Sequence, residues 1–469
     1  MRKLFFQFII INLVFCLCLV NAAGVLAFTI GDERELGEKL LYSVRSSFDL
    51  IDDPDISQYI NDLGQSILDV AGVQYFDYHF FVINNKEFNA FAAPSGLIFL
   101  HSGLIGTMQS EDELVSVIAH EIGHIVKRHL ASRVEKGKYT SLATLGMAVA
   151  AVAFGGTVAP VLLTGALATG QSINLHYSRI DEEEADLLAF EWMEKMGRNP
   201  RGQVKMLEAM RRIARYRSDK LPQYLLTHPN PEARLEYIQS LVDIEKGQHI
   251  QHHFMKGNDF AFMRFKYRIL SQVKDATRLK AALASILADK KTSEFSRIMA
   301  DYGLSQISRK ENDYRHALEY LQKVIQFFPD KTILLTDRGM IEFDEGRLQA
   351  AKHTFENVLQ KNNLDMYATF ALAKIYYRLG MTEQARNYLQ RVVVEMPEYS
   401  DAYFQLGKIA ADENHDGLSS YYLGKFYLYE GKLKFAKMSF RSALNSKDLS
   451  PKIREESTKL LKKIKQLRK

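Results

Sequence analysis

His120 and His124 stand four positions apart with Glu121 between them, in the run His120-Glu121-Ile122-Gly123-His124. On an α-helix, residues i and i+4 project from one face about a turn apart, the spacing that lets two imidazoles share one zinc ion. Glu121 sits beside the pair, where a carboxylate can act on an attacking water without being a ligand. The surrounding segment reads as one amphipathic helix from Ser110 to His129. Leu114, Val117, Ile118 and Ile125 recur at helical spacing, and Ser110 with Glu113 has the form of a capping box. Such a motif still requires a third ligand, room for a substrate and a compartment.

The compartment is written at the N-terminus. Arg2 and Lys3 precede an uncharged apolar run from Leu4 to Val20, and small residues follow, with Val25-Leu26-Ala27 or Asn21-Ala22-Ala23 as the cleavage signal. This is the pattern of a secretory signal peptide over residues 1–27. The length of the run leaves an uncleaved anchor helix as the alternative. The chain's two cysteines, Cys16 and Cys18, both lie inside this segment. The mature chain is therefore expected to offer no thiolate, and its zinc ligands must come from His, Asp or Glu.

A second helix, from Ser178 to Trp192, has an acidic first turn in which Glu182 and Asp186 are again four apart. Glu182 is the candidate third ligand of a His2Glu zinc site with an open fourth position. Asp186 is the candidate hydrogen-bond partner that holds a ligating histidine from behind. Glu184 faces elsewhere on that helix and is read as structural. His228 lies in Leu226-Thr227-His228-Pro229-Asn230-Pro231, a loop pinned by two prolines. It has three readings: a donor to the oxyanion of a tetrahedral intermediate, a ligand closing zinc's fourth position at rest, or a loop histidine of no catalytic use. His101 is read as structural.

The elements that must position these residues are mostly helical. Helices are expected from Gly31, after Asp53-Pro54, after Asn199-Pro200 and from about Pro231. Tyr78 to Ile83 reads as a short strand, and Phe88 to Gly103 as a hairpin around Pro94-Ser95-Gly96. An edge strand there would let an extended peptide pair with it beside the metal helix. After Lys138 no charged residue occurs until Arg179, and the apolar stretch Leu142 to Ala168 is cut by Gly155-Gly156 and Pro160. A spanning helix needs about 20 uninterrupted apolar residues. Residues 139–178 are therefore read as a hydrophobic lid, packed over the site or dipping into a membrane surface.

Further on the chain repeats. Ala317, Ala351 and Ala385 are spaced by 34, as are Pro329, Asn363 and Pro397, and Gly346 and Gly380. This is the tetratricopeptide period, with small residues where paired helices approach. The phase slips after Gly407 and resumes at Gly424. Residues from Pro451 form a capping helix. Its lysines and arginines are a solvated face or a membrane-surface patch. Sixty-one Lys and Arg against 56 Asp and Glu give a net charge of +5, too small to imply nucleic acid. The expected fold class is mainly α: a domain with the candidate metal site and a small β-sheet over residues 28–255, followed by a helical tetratricopeptide solenoid over 256–469.

The run His120-Glu-Ile-Gly-His124, then Tyr177-Ser178-Arg179 leading into Glu182-x-Glu184-Ala185-Asp186, resembles the zinc endopeptidases of the HtpX, CAAX-prenyl-protease and Oma group. Asn89-Ala-Phe-Ala-Ala-Pro-Ser-Gly96, Ser102-Gly-Leu-Ile105 and Thr227-His228-Pro229 fit the same pattern. The resemblance implies that residues 28–255 are a zincin-type metalloprotease domain, with one Zn2+ per chain on His120, His124 and Glu182, Glu121 as catalytic base, and His228 as a regulatory ligand. With the signal peptide and the repeats, it is most similar to periplasmic members of the group that serve outer-membrane protein assembly. The expected partners are unfolded or partly assembled envelope proteins, the outer-membrane assembly machinery reached through the repeats, and a membrane surface. A rival expectation is a chaperone or scaffold that acts mainly through the repeats while its protease site stays occluded.

Overall fold

The structure, a computed structural model, describes residues 29–135, 177–216, 221–247, 259–273 and 276–467. The expected signal peptide, and the expected lid up to residue 176, lie outside the described residues.

Two helices, α1 (Ile30–Ser47) and α2 (Pro54–Ala71), lead into a three-stranded sheet of β1 (His79–Ile83), β2 (Ala90–Ala93) and β3 (Leu97–His101). Their starts are fixed locally: Thr29 closes a capping box with Asp32, and Asp53 Oδ1 accepts from the amides of Asp55 and Ile56 ahead of Pro54. The sheet order is β1-β3-β2. β1 pairs with β3 in parallel, His79 against Leu97, while β2 pairs antiparallel, Ala90 against Leu100. The expected hairpin is thus present, and β2 is an edge strand of the sheet.

A short α3 (Ser102–Thr107) precedes α4 (Glu111–Val126), the helix carrying the histidine pair. Two expectations fail here. The helix does not continue to His129: it ends at Val126, Arg128 turns the chain with φ 51°, and α5 (His129–Glu135) begins a new direction. Nor does Ser110 cap by accepting from the Glu113 amide. Its hydroxyl donates to the Glu113 carboxylate at 3.2 Å, and that carboxylate also takes the Gln109 amide at 3.0 Å. Next come α6 (Arg179–Lys195), α7 (Arg201–Tyr216), α8 (Gln223–Thr227) and α9 (Pro231–Gly247). α6 has the capping box that α4 lacks, between Ser178 and Asp181.

Twelve helices follow: α10 (Asp259–Gln272), α11 (Thr277–Ala288), α12 (Glu294–Lys310), α13 (Tyr314–Phe327), α14 (Ile333–Asp344), α15 (Leu348–Lys361), α16 (Met366–Arg378), α17 (Thr382–Glu395), α18 (Ser400–Asp412), α19 (Asp416–Tyr429), α20 (Leu433–Asn445) and α21 (Pro451–Leu467). Their turns keep the period better than the glycines alone reveal. Asn312, Gly346, Gly380 and Asn414 are each 34 apart, and all four have positive φ. Asparagine substitutes for glycine there because its short polar side chain tolerates the left-handed region. The next such turn, Gly431, comes 17 residues after Asn414, so the phase slips by half a repeat, one helix instead of two. Ala317, Ala351 and Ala385 are fully buried where paired helices meet.

The core does not divide between the two halves. One continuous apolar cluster runs from Ile51 on the protease side to Ile341 in α14. α10 is the beam through it. Arg264 donates to Asp337 of α14 at 2.9 and 3.0 Å and to Asp55 of α2 at 2.8 and 2.7 Å. Arg268 reaches Asp337 at 3.1 Å and Asp53 at 2.6 Å, and lies 4.4 Å over the Tyr367 ring. Farther along, the solenoid returns to α1, where Arg45 pairs with Glu398 at 2.6 Å and donates to the Tyr429 carbonyl at 2.8 Å. Asp337 is wholly buried and meets two guanidiniums. Removing one partner of a buried pair leaves uncompensated charge and costs about 3–5 kcal/mol. Asp337→Ala is therefore expected to lower the stability of the whole chain by that amount, read as a shift in urea midpoint.

Candidate metal centre

α4 is buried along nearly its full length, so its polar residues must find partners inside the protein. The partners come from α6, which crosses at Gly123: a Cβ there would stand 3.1 Å from Ala185 Cα and 3.2 Å from the Ala185 carbonyl. That approach sets Glu182 and Asp186 against the histidines. His120 Nε2 and His124 Nε2 are 3.1 Å apart, and Glu182 Oε1 lies 3.4 Å from His124 Nε2. The short helix α8 delivers His228, whose Nδ1 is 3.3 Å from His120 Nε2 and 2.9 Å from Glu182 Oε1. His120, His124, Glu182 and His228 each offer an atom within 4.8 Å of the other three, and all four residues are buried.

These spacings fit a tetrahedral ion. Bonds of about 2.0–2.1 Å place neighbouring ligand atoms about 3.3 Å apart. Imidazole nitrogens and a carboxylate oxygen, with no thiolate, are zinc's ordinary donors. Glu121 is completely buried beside the cluster. Its Oε1 is 3.6 Å from His228 Nε2, and neither carboxylate oxygen has a hydrogen-bond partner among the described residues.

The surroundings hold the cluster in charge and in angle. Asp186 Oδ1 stands 2.9 Å from His120 Nδ1, the contact expected of a group that orients a ligand. Arg234 of α9 grips Asp186 with Nε and Nη2, both at 2.7 Å, and pairs with Glu182 Oε2 at 2.6 Å. Burial alone would raise the Asp186 carboxyl; the Arg234 guanidinium and the His120 imidazole override it and hold it at about 2. Glu182 is likewise held well below the usual carboxylate range: burial opposes this, and His228 and Arg234 prevail. Burial drives His124 well below its ordinary value, keeping it neutral, the form that binds metal. Tyr177 stacks on the His124 ring at 3.8 Å between centroids, and its amide donates to the Thr227 carbonyl at 3.0 Å. Tyr224 packs on His228 at 4.4 Å.

All six residues singled out in the sequence therefore meet in one place. His101 is buried at the end of β3, outside the four-residue set; burial lowers its pKa to about 4. Two residues were missed. Arg234 lies six residues after His228, and its role depends on α9 packing against α6. The sequence puts His129 at the tail of the metal helix, yet its Nδ1 lies 2.8 Å from His124 Nδ1. Glu184, read as facing elsewhere, is joined to the site at one remove, since its Oε2 lies 3.0 Å from His129 Nε2.

The family comparison agrees with this geometry. Residues 54–242 match the model of peptidase family M48, and residues 342–406 match a tetratricopeptide repeat. The chain is 30% identical over 401 residues to the beta-barrel assembly-enhancing protease of Escherichia coli K12, covering 82% of this chain and 78% of that one. The chain belongs to peptidase family M48. A Yersinia pestis protein of the same name is 28% identical, covering 84% of this chain and 80% of its own. A mitochondrial metalloendopeptidase of Arabidopsis thaliana is 31% identical over 153 residues, 33% of this chain and 29% of that one. The M48 chain is thus a metalloendopeptidase, and the metal of its family is zinc. Among the described residues no helix is long and apolar enough to cross a membrane.

The Asp186 contacts carry a pH signature in the metal-free protein. A carboxyl held near 2 in the folded chain, against 3.8 ordinarily, adds stability that is present above pH 4 and lost as pH falls towards 2. The amount is about 2 kcal/mol. In chelator-treated protein, the stability difference between the parent and Asp186→Asn is expected to shrink by that much between pH 5 and pH 2, followed by denaturant titration.

Proposed function

We propose that this chain is a periplasmic zinc endopeptidase that acts in quality control and assembly of outer-membrane proteins, hydrolysing internal peptide bonds of misfolded or stalled substrates. The observation that carries the reading is the convergence of His120, His124, Glu182 and His228 around one point, with the unpartnered carboxylate of Glu121 beside it. The E. coli and Yersinia relatives, by name proteases that enhance β-barrel assembly, support the place of action.

In this reading His120, His124 and Glu182 hold the metal. Zinc, when bound there, supplies Lewis acidity that polarises the scissile carbonyl and lowers the pKa of the attacking water. Glu121 takes the water's proton and later delivers it to the leaving amine. Its buried oxygens, which have no hydrogen-bond partner among the described residues, leave it available for that transfer. Asp186 and Arg234 keep His120 and Glu182 in register while the proton moves. β2, the edge strand beside α4 among the described residues, is where an extended substrate segment would add by backbone pairing. The repeats recruit unfolded or partly assembled envelope proteins or the outer-membrane assembly machinery.

His228 supports the second reading, in which the repeats act as a chaperone while the protease is closed. Its Nδ1 occupies the fourth corner of the ligand set, where an open position is needed for catalysis. In that geometry His228 is a resting-state ligand and not an oxyanion donor.

Glu121→Gln is expected to keep stoichiometric zinc and to lose at least about 100-fold in cleavage of an unfolded outer-membrane protein; undiminished cleavage would sink the assignment. His228→Ala is expected to raise basal cleavage of the same substrate, measured by initial rate. A near-total loss would instead return His228 to oxyanion stabilisation. Loss of the cellular phenotype on deleting the repeats, with Glu121→Gln leaving that phenotype intact, would favour the scaffold reading.

A further inference from the structure

The geometry points to His129 as a positioning residue that fixes the tautomer and ring angle of His124 through a hydrogen-bonded chain, His124–His129–Glu184. This rests on His124 being a zinc ligand. His129 is buried; its Nδ1 is 2.8 Å from His124 Nδ1, and its Nε2 is 3.0 Å from Glu184 Oε2 and 3.9 Å from Asp181 Oδ1. Lys127 Nζ stands 3.5 Å from the other Glu184 oxygen.

Only one proton arrangement serves both contacts and a metal. An ionised carboxylate accepts and cannot donate, so His129 Nε2 carries the hydrogen that points at Glu184. Neutral His129 then presents a lone pair at Nδ1, and His124 Nδ1–H donates to it. Neutral His124 is left with its lone pair on Nε2. That is the nitrogen lying 3.1 Å from His120 Nε2 and 3.4 Å from Glu182 Oε1. The opposite tautomer would aim an N–H into the ligand cluster. Asp186 does the same for His120 from the other side, so each histidine of the pair is anchored through its Nδ1.

The backbone gives independent support. Five residues along a continuous helix, His129 would be rotated about 140° away from His124. The break after Val126 returns it. Arg128 adopts φ 51°, a left-handed conformation that is unfavourable for a residue with a side chain. Its Nε lies 3.1 Å from Glu33 Oε2 of α1, which holds the turn. Backbone strain of this kind persists where the surrounding structure fixes it, and here its consequence is the His124–His129 contact.

The test is the zinc dissociation constant of the full chain, by competition with a chelator of known affinity. His129→Leu removes the acceptor and is expected to weaken zinc binding about 10–100-fold. His129→Asn, whose Oδ1 replaces the Nδ1 acceptor, is expected to stay within about threefold of the parent. Glu184→Ala changes a partly exposed side chain that the fold tolerates. It frees His129 to flip tautomer, and an about 3–10-fold loss is expected. Unchanged affinity in His129→Leu and Glu184→Ala overturns the proposal. So do equal losses in His129→Leu and His129→Asn, because packing would then be the cause. If His129→Leu fails to fold, as judged by melting of the metal-free protein, Glu184→Ala decides. A parent chain that takes up no zinc would reject the ligand assignment itself, which is a separate failure.

Discussion

The site depends on one close crossing, Gly123 of α4 against Ala185 of α6, which buries three carboxylates with a single guanidinium. A Cβ at Gly123 would meet the Ala185 backbone at 3.1–3.2 Å, tighter than ordinary contact, so the two helices would have to give way slightly. The crossing has an electrostatic consequence. Glu121, Glu182 and Asp186 bring three carboxyl groups into a buried volume, and Arg234 brings one guanidinium. A divalent cation bound by these residues would offset that excess of carboxyl groups over guanidinium. Burying unpaired charge is costly, so the same packing that hides the site also makes metal binding its resolution. Metal affinity and folding are therefore linked in this chain.

The repeats are tied to that site by a shared core. α10 lays two arginines between the start of α2 and Asp337 of α14, and the later repeats come back to α1 through Arg45, Glu398 and Tyr429. Asp53 serves both purposes at once, capping α2 with Oδ1 and receiving Arg268 with Oδ2. α1 in turn anchors the Arg128 turn through Glu33. A shift of the repeats against α1 would reach the metal helix through few intermediaries, by way of that turn and His129.

What was legible in the sequence is what local periodicity encodes. The four-residue spacings of His120 with His124 and of Glu182 with Asp186 are properties of single helices, and the missing thiolates narrowed the ligand types before any packing was known. The 34-residue step exposed the repeats for the same reason. Contacts made by tertiary packing were not legible. Arg234 lies 48 residues from Glu182's neighbour Asp186, and nothing in its own stretch signals a buried cation. The end of α4 was hidden because Lys127, Arg128 and His129 include no glycine or proline. A left-handed turn at an arginine carries no compositional mark. His101 shows the converse: a histidine beside the motif in sequence, but closed off at the end of a strand.

His228 brings these constraints together. In the proposed ligand set a fourth donor completes the tetrahedron, and a complete tetrahedron leaves no position for a substrate carbonyl. Cleavage then requires the loop from Thr227 to Pro231 to withdraw. The loop is held by Tyr224 on the His228 ring, by the Tyr177 amide on the Thr227 carbonyl, and by Glu182 on His228 Nδ1. Tyr177 belongs to both sides of this closure, since its ring also covers His124. Moving it would uncover a ligand and release the loop in one step. In the proposed ligand set, the contacts that hold His228 would thus run through Tyr177, just before α6, and through Glu182 within it, so that access to the metal and the position of its third ligand would be coupled through one stretch of chain.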